Sequence, residues 1–349
     1  MVSVLQSAAS PVTPIGTPTA RSGGAARAYH EVAGVLGWLG RTGAVVGTVF
    51  LFATAVTFAL GAVSGLSPAG LVLGDAATTA DVARVNAQFG LDRPVVVQYL
   101  DWLAGLLHGD LGVSWFNGIG VGEQIAQRFE ISASVAGLAL LIGVVLGTAL
   151  GVLAAVYHGT WFDRAVTVVC TVISTLPAFV VAIGLIVAFS ILIPLVPSAG
   201  YVSPSVSVGR WLALIILPSI ALSLDAVSEI ARQLRGGLVA AQQENYVLGA
   251  IVRGLSRRRI LIVHVLRNGV GPAVTVLGMK VPMLLGGAVV TESIFGMAGF
   301  GRFAADGALR GDVPVVQGAL VVAIVLVLAF NLVVNAVLVR LRPAARRGT

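Results

Sequence analysis

The sequence predicts an all-α, polytopic membrane protein with six transmembrane helices. Three observations carry this. Of 349 residues, 57% are hydrophobic and 11% charged, whereas a soluble domain carries about 25% charged residues. Several stretches long enough to cross ~30 Å of hydrocarbon contain no charge at all. The remaining charges are sorted by segment, with arginines in some and acids in another.

Residues 1–41 are rich in Ser, Thr, Pro, Gly and Ala and read as a flexible cytoplasmic tail, with Val32–Leu39 as a short interfacial helix. They show no apolar h-region followed by a cleavage site, so no removable signal peptide is expected. The first span is placed at 42–63, where Gly43–Val63 is uncharged. At ~1.5 Å per residue that is enough to cross the membrane. Residues 64–130 form a long segment with seven acids against three arginines, and read as extracytoplasmic. A core follows over 128–340. Its spans are expected at about 131–157, 165–193, 211–232, 272–295 and 314–339. Asp163 and Arg164 mark a short cytoplasmic turn. Pro177 should kink the third span and free a carbonyl. Pro194, Pro197 and Pro204 mark an outer loop, and the fourth span should run on past Arg232 into the cytoplasm. The basic loop 241–268 precedes the fifth span, and 341–349 is a cytoplasmic tail.

The segments on the side of the termini sum to +2 (1–41), 0 (163–164), +5 (228–270) and +4 (from 340), while 64–130 sums to −4. Six spans with both termini inside satisfy the positive-inside rule. The net charge of +7 therefore reflects orientation and contact with lipid headgroups, with no call for nucleic acid.

The chemistry-bearing motifs are mostly missing. The single lysine, Lys280, lacks the glycine spacing of a Walker A loop. His30, His108, His158 and His264 are scattered and none sits in HExxH, so no metal site is expected. No GxSxG is present. The spans hold serines but no histidine deep in the bilayer, against a rhomboid-like protease. Cys170, alone in an apolar run, excludes an internal disulfide and reads as a buried small residue.

The stretch around which the rest is organised is the basic loop. A short helix fits Tyr246–Arg253, with Val247, Ala250 and Ile251 on one face. Gly254 suits a left-handed C-cap. Ser256 can cap the next helix, although Arg257, Arg258 and Arg259 there oppose its dipole. Taken alone, such a loop could simply touch anionic lipid. Yet Tyr246-Val247, Arg253-Gly254-Leu255-Ser256, His264, Leu266-Arg267-Asn268 and Pro272 resemble the cytoplasmic "EAA" loop of binding-protein-dependent ABC importers. The likeness is to the first-permease (B-type) members of the dipeptide/oligopeptide subfamily. The loop departs from the subfamily at Gly249, Ile251 and Val252, where small, basic and small residues are usual. The resemblance continues in Phe89-Gly90-Leu91-Asp92-Arg93-Pro94, Gln98-Tyr99, Trp102 and Gly109-Asp110-Leu111-Gly112-Val113-Ser114. It returns at Leu217-Pro218, Ala231-Arg232, Thr291-Glu292, Phe295, Gly299, Gly301-Arg302, Asp312, Pro314-Val315 and Gln317-Gly318. Ala298 stands where a proline is usual.

The resemblance implies a type I ABC importer permease fold in a bacterial inner membrane. It implies a subunit forming half of a path for peptides, paired with a second homologous permease. Two ATPase subunits or domains would hold ATP and Mg, and an external binding protein would deliver the solute; the chain itself would carry no cofactor and no catalytic residue. The coupling residues carried over are Glu244, Tyr246, Val247, Ala250, Ile251, Arg253, Gly254, Leu255 and Ser256. Independently of the resemblance, Asp225, Lys280 and Glu292 are ionisable groups within or near spans, which usually face a cavity or a partner. They are candidates for the path, although Glu292 is near enough to the outer end of its span to be solvated. The glycines of Gly137–Gly151 suit close helix packing. The alternative reading is an ion-coupled transporter or channel subunit using Asp225, but no inverted repeat supports it.

Overall fold

A computed structural model describes residues 23–63, 73 and 78–341. They divide into two compact units at Phe52/Ala53, inside the first helix. That helix, α1, runs Gly23–Val63. Of the tail expected to be flexible, residues 23–41 are helical, and 1–22 lie outside the described residues. Nothing in 23–41 forbids helix: it contains no proline, and its Ala, Leu, Arg and Glu are good helix formers. The expected short helix at Val32–Leu39 is absorbed into α1.

The second unit holds everything else. Its polar segment contributes α2 (Thr79–Gln88) and α3 (Val95–Leu107). The Thr78 side chain caps α2 by accepting from Asp81 N at 3.2 Å. Gly90, at φ +67°, turns the chain into α3, which Arg93 anchors by an ion pair to Asp101 at 2.5 Å.

α4 (Val121–Val156) begins ten residues before the expected span, so Glu123, Arg128 and Glu130 ride its first turns. The third span is broken rather than kinked. α5 (Trp161–Thr175) and α6 (Ala178–Ile186, extended by a π-helical turn over Val187–Leu192) meet at 97°. The cause is local: Pro177 disfavours helix at the residue before it, and Leu176 is extended at ψ 124°. α7 (Val208–Gln242) starts on a Ser207 cap and runs well past Arg232. α8 (Asn245–Val252) and a segment built of Arg257–Arg259, Ile260–Leu266 and Arg267–Gly269 form the basic loop. α10 (Gly271–Ile294) follows that segment, which is called α9 below; α11 (Phe300–Leu309) and α12 (Val313–Leu341) complete the described chain. Among the described residues five helices are long and apolar enough to cross a membrane, and the bent pair α5–α6 makes a sixth crossing if counted as one.

α4 lies directly on α7. Gly143, Gly147 and Gly151 are buried where the two backbones meet. A Cβ on Gly147 would sit 2.8 Å from Ile230 Cβ, and one on Gly151 2.9 Å from the Ala231 carbonyl oxygen. Around this seam a core of Ala226, Ile230, Leu234 and Leu238 extends to Val247 and Ala250 on α8, and to Ile260 and Val265 on α9. The basic loop is thus built into the core rather than hung from it.

Candidate functional site

The loop has a defined end. Gly254 adopts φ +75°, and two bonds close a Schellman motif: Leu255 N donates to Ala250 O at 3.2 Å and Gly254 N to Ile251 O at 2.9 Å. Leu255 folds back onto the core that holds Ala250. Ser256 Oγ then accepts from Arg259 N at 3.4 Å and starts α9. Glu244 stands at the N-cap of α8 without a side-chain cap bond.

The faces of α8 are sorted differently from the expectation. Val247 and Ala250 point inward and are buried, whereas Ile251, expected beside them, is 56% exposed. The inward stripe of so short a helix is narrow, and Ile251 falls outside it. Tyr246, Leu248 and Val252 are exposed as well, with Arg253 and Arg257–Arg259 around them. Of the residues carried over, Val247, Ala250 and Leu255 serve this chain's own core. Glu244, Tyr246, Ile251, Arg253, Gly254 and Ser256 remain at the surface. Leu248 and Val252, not singled out from the sequence, join them.

The loop is clamped at its far end. Gly237 on α7 and Gly269 on α9 cross in contact; a Cβ on Gly269 would lie 2.8 Å from Gly237 O, and one on Gly237 would strike Gly269 O. The pairing was missed because each glycine alone looks like helix-packing material. A second clamp fixes the turn at 157–163. Buried Asp163 accepts from both Arg235 Nε and Arg235 Nη2, the latter at 2.7 Å, and from Gly159 N at 3.0 Å. Loop and turn are therefore each tied to α7.

Asp225 and Lys280 come together. Lys280 Nζ donates to Asp225 Oδ2 at 2.5 Å between α7 and α10. The lysine side chain is 10% exposed and the aspartate 54%. One turn on, Glu229 pairs with Arg232 and accepts from Gln233 Nε2 at 2.9 Å. The asymmetry in burial gives a prediction. Asp225→Asn strands a buried ammonium, which should destabilise by about 3 kcal/mol. Lys280→Met leaves only a half-exposed carboxylate and should be mild. The double variant should recover stability. Thermal unfolding of the purified protein checks the order; equal losses from both single variants would contradict it.

Glu292 is neither solvated nor open to a path in this chain. It is completely buried. Ser132 Oγ donates to its carboxylate, Arg302 N donates to Oε2 at 2.8 Å, and Phe300 N donates to Ser132 Oγ at 2.8 Å. A Cβ on Gly299 would fall on the carboxylate, and one on Gly301 would lie 3.0 Å from Val289 N. Glu292 thus satisfies the N-terminus of α11 and pins the loop after α10 against α4.

Family comparison matches residues 147–347 to the binding-protein-dependent transport system inner membrane component and residues 38–136 to the N-terminal part of such a membrane component. The chain belongs to this family. Relatives within reach include the dipeptide transport system permease protein DppB of Escherichia coli (strain K12). It is 33% identical over 321 residues, covering 85% of this chain and 94% of its own. A Brucella abortus (strain 2308) protein, named provisionally as a peptide transport system permease protein, is 36% identical over 287 residues, covering 82% and 91%. Among solved structures, the MetNI methionine ABC transporter in inward-facing conformations matches 62% of this chain and 95% of its own. Its TM-score is 0.50 at 16% identity, a likeness of fold. The chain is therefore a multi-pass membrane permease subunit of an ABC importer, a class that works with ATPase and binding-protein partners.

Proposed function

We propose that this permease subunit forms half of a path for dipeptides or oligopeptides across a bacterial inner membrane, beside a second homologous permease. Two ATPase subunits or domains bind ATP and Mg, and this chain binds neither. An external binding protein delivers the peptide, and both termini of the chain face the cytoplasm. The observation that carries the reading is the loop: a short helix with an apolar outward face, ringed by arginines and clamped to α7 at Gly237–Gly269. Such a face suits insertion into a groove on an ATPase, and the clamps carry its displacement into the spans. The peptide comes from the relatives named above and from the sequence resemblance.

Reconstituted with its partner subunits and binding protein, the transporter should import labelled dipeptide only with ATP. Import of another solute class with peptides failing to compete would overturn the substrate. The orientation has its own check: a membrane-impermeant thiol reagent added from outside should label Asn86→Cys and spare Arg258→Cys. Labelling of the second site alone would invert the topology.

A further inference from the structure

A cleft of about 310 Å³ lies between the segment around Ser114–Asn117, the start of α4 and α11. By the topology proposed above it opens on the outer face. Three guanidiniums line it: Arg128, Arg302 and Arg310. Two of them are stacked on rings. Arg310 Cζ lies 4.4 Å from the centre of the Phe116 ring, and Arg128 Cζ lies 4.6 Å from that of Phe303. Stacking fixes the plane of a guanidinium and leaves its N–H edges free to donate.

The competing groups are already engaged. Asp312 accepts from Ser114 Oγ at 2.5 Å and from Trp115 N at 3.2 Å. Glu292 takes the backbone donor of Arg302. The amides of Asn117 and Gln124 hold each other at 2.9 Å. Asp306 is taken up in an ion pair with Arg302 Nε at 3.8 Å. Arg128 makes one bond, to Gln124 O at 3.1 Å. Among the described residues Arg310 has its ring contact and no ion pair. What the cleft offers is the guanidinium of Arg310 and the remaining donors of Arg128, two stacked planar forks beside apolar Phe303 and Val315. Planar forks bind carboxylates two-pronged.

We propose that this cleft binds the C-terminal carboxylate of a peptide, with the last side chain against Phe303 and Val315, on the outer face of the permease. The proposal rests on the peptide reading above and adds a site on this chain to it. The volume is at the small end of ligand pockets and suits one or two residues rather than a whole oligopeptide.

The test titrates the complete transporter in nanodiscs, without binding protein, with Ala-Phe and with Ala-Phe amide, read by saturation-transfer NMR. The acid should bind about tenfold tighter than the amide or better, since charge-assisted bonds are lost with the carboxylate. Arg128→Gln combined with Arg310→Gln should bring the acid to the level of the amide and leave the amide unchanged. Equal binding of acid and amide to the wild type, absence of saturable binding, or acid binding that survives the double variant would each overturn the site. If the double variant fails to assemble, the wild-type comparison and Arg310→Gln alone, at an exposed side chain, still decide. The two readings fail separately: ATP-driven import of dipeptide without any acid–amide difference in binding sinks the cleft alone, and absence of any peptide import sinks the substrate.

Discussion

Gly151→Leu is expected to leave little folded protein in the membrane, and Gly147→Leu to be nearly as severe, while Gly137→Leu should insert and fold at the wild-type level. The three positions lie on one helix, so propensity and hydrophobicity are matched. They differ in what a side chain would meet. At Gly151 an added Cβ would lie 2.9 Å from Ala231 O, 3.0 Å from Leu234 Cβ and 3.2 Å from Ala231 Cα. At Gly147 it would meet Ile230 Cβ, Ile230 Cγ2 and Val227 O at 2.8 to 3.0 Å. Apart from Ile230 Cγ2 these are backbone atoms or Cβ atoms fixed to backbone, so no rotamer change relieves the clash and α4 must back away from α7. At Gly137 nothing lies within 4 Å. Overpacking a core costs typically 1–3 kcal/mol and occasionally more; here the upper end or beyond is expected, because the whole α4–α7 seam is held by this approach. Gly143→Leu, with Ala226 Cβ at 3.1 Å, should fall between. The readout is the yield of monodisperse protein and its thermal midpoint in detergent. A wild-type midpoint for Gly151→Leu would mean the seam can open without loss.

The helices were legible because hydrocarbon imposes a rule that composition reveals: twenty or so uncharged residues, then a charge. The same rule is blind to where a helix starts outside the bilayer. Hence α4 begins at Val121 rather than near 131, and α1 reaches back to Gly23. Pro177 announced a kink, and its bias of Leu176 toward the extended region was readable too, but the 97° between α5 and α6 that results was not. The cap at Gly254 was readable, since a glycine after a short helix has few other uses. The sidedness of α8 was not. Val247, Ala250 and Ile251 are equally apolar on paper, and only the presence of α7 and α9 decides which are inward. Long-range polar pairs were hidden for the same reason. Nothing local to Glu292 points to Ser132, nor does anything local to Asp163 point to Arg235; each partner is on another helix.

That sidedness sharpens the last expected result, which concerns coupling. Ile251→Asp should insert, fold and show a near-normal thermal midpoint, yet lose ATP-driven import. Its side chain is 56% exposed, so the carboxylate is solvated in the isolated chain and meets an apolar groove only when the ATPase docks. Losing one anchor of a small interface costs about 2 kcal/mol or more, roughly thirtyfold in affinity, and a buried unpaired carboxylate adds to that. Val247→Asp should behave differently. Val247 is buried in this chain's own core, so its variant should fail by misfolding, with a lowered midpoint before any partner is present. Gly254→Asp is an intermediate case. Nothing lies within 4 Å of where its Cβ would stand, but φ +75° disfavours a Cβ by about 1 kcal/mol, and the new charge sits beside the apolar face. It should fold slightly less stably and transport poorly. The decisive measurement pairs thermal unfolding of the permease with ATP hydrolysis stimulated by loaded binding protein. If Ile251→Asp keeps stimulated hydrolysis and import while Val247→Asp folds normally, the assignment of inward and outward faces is reversed, and α8 does not dock through Leu248, Ile251 and Val252.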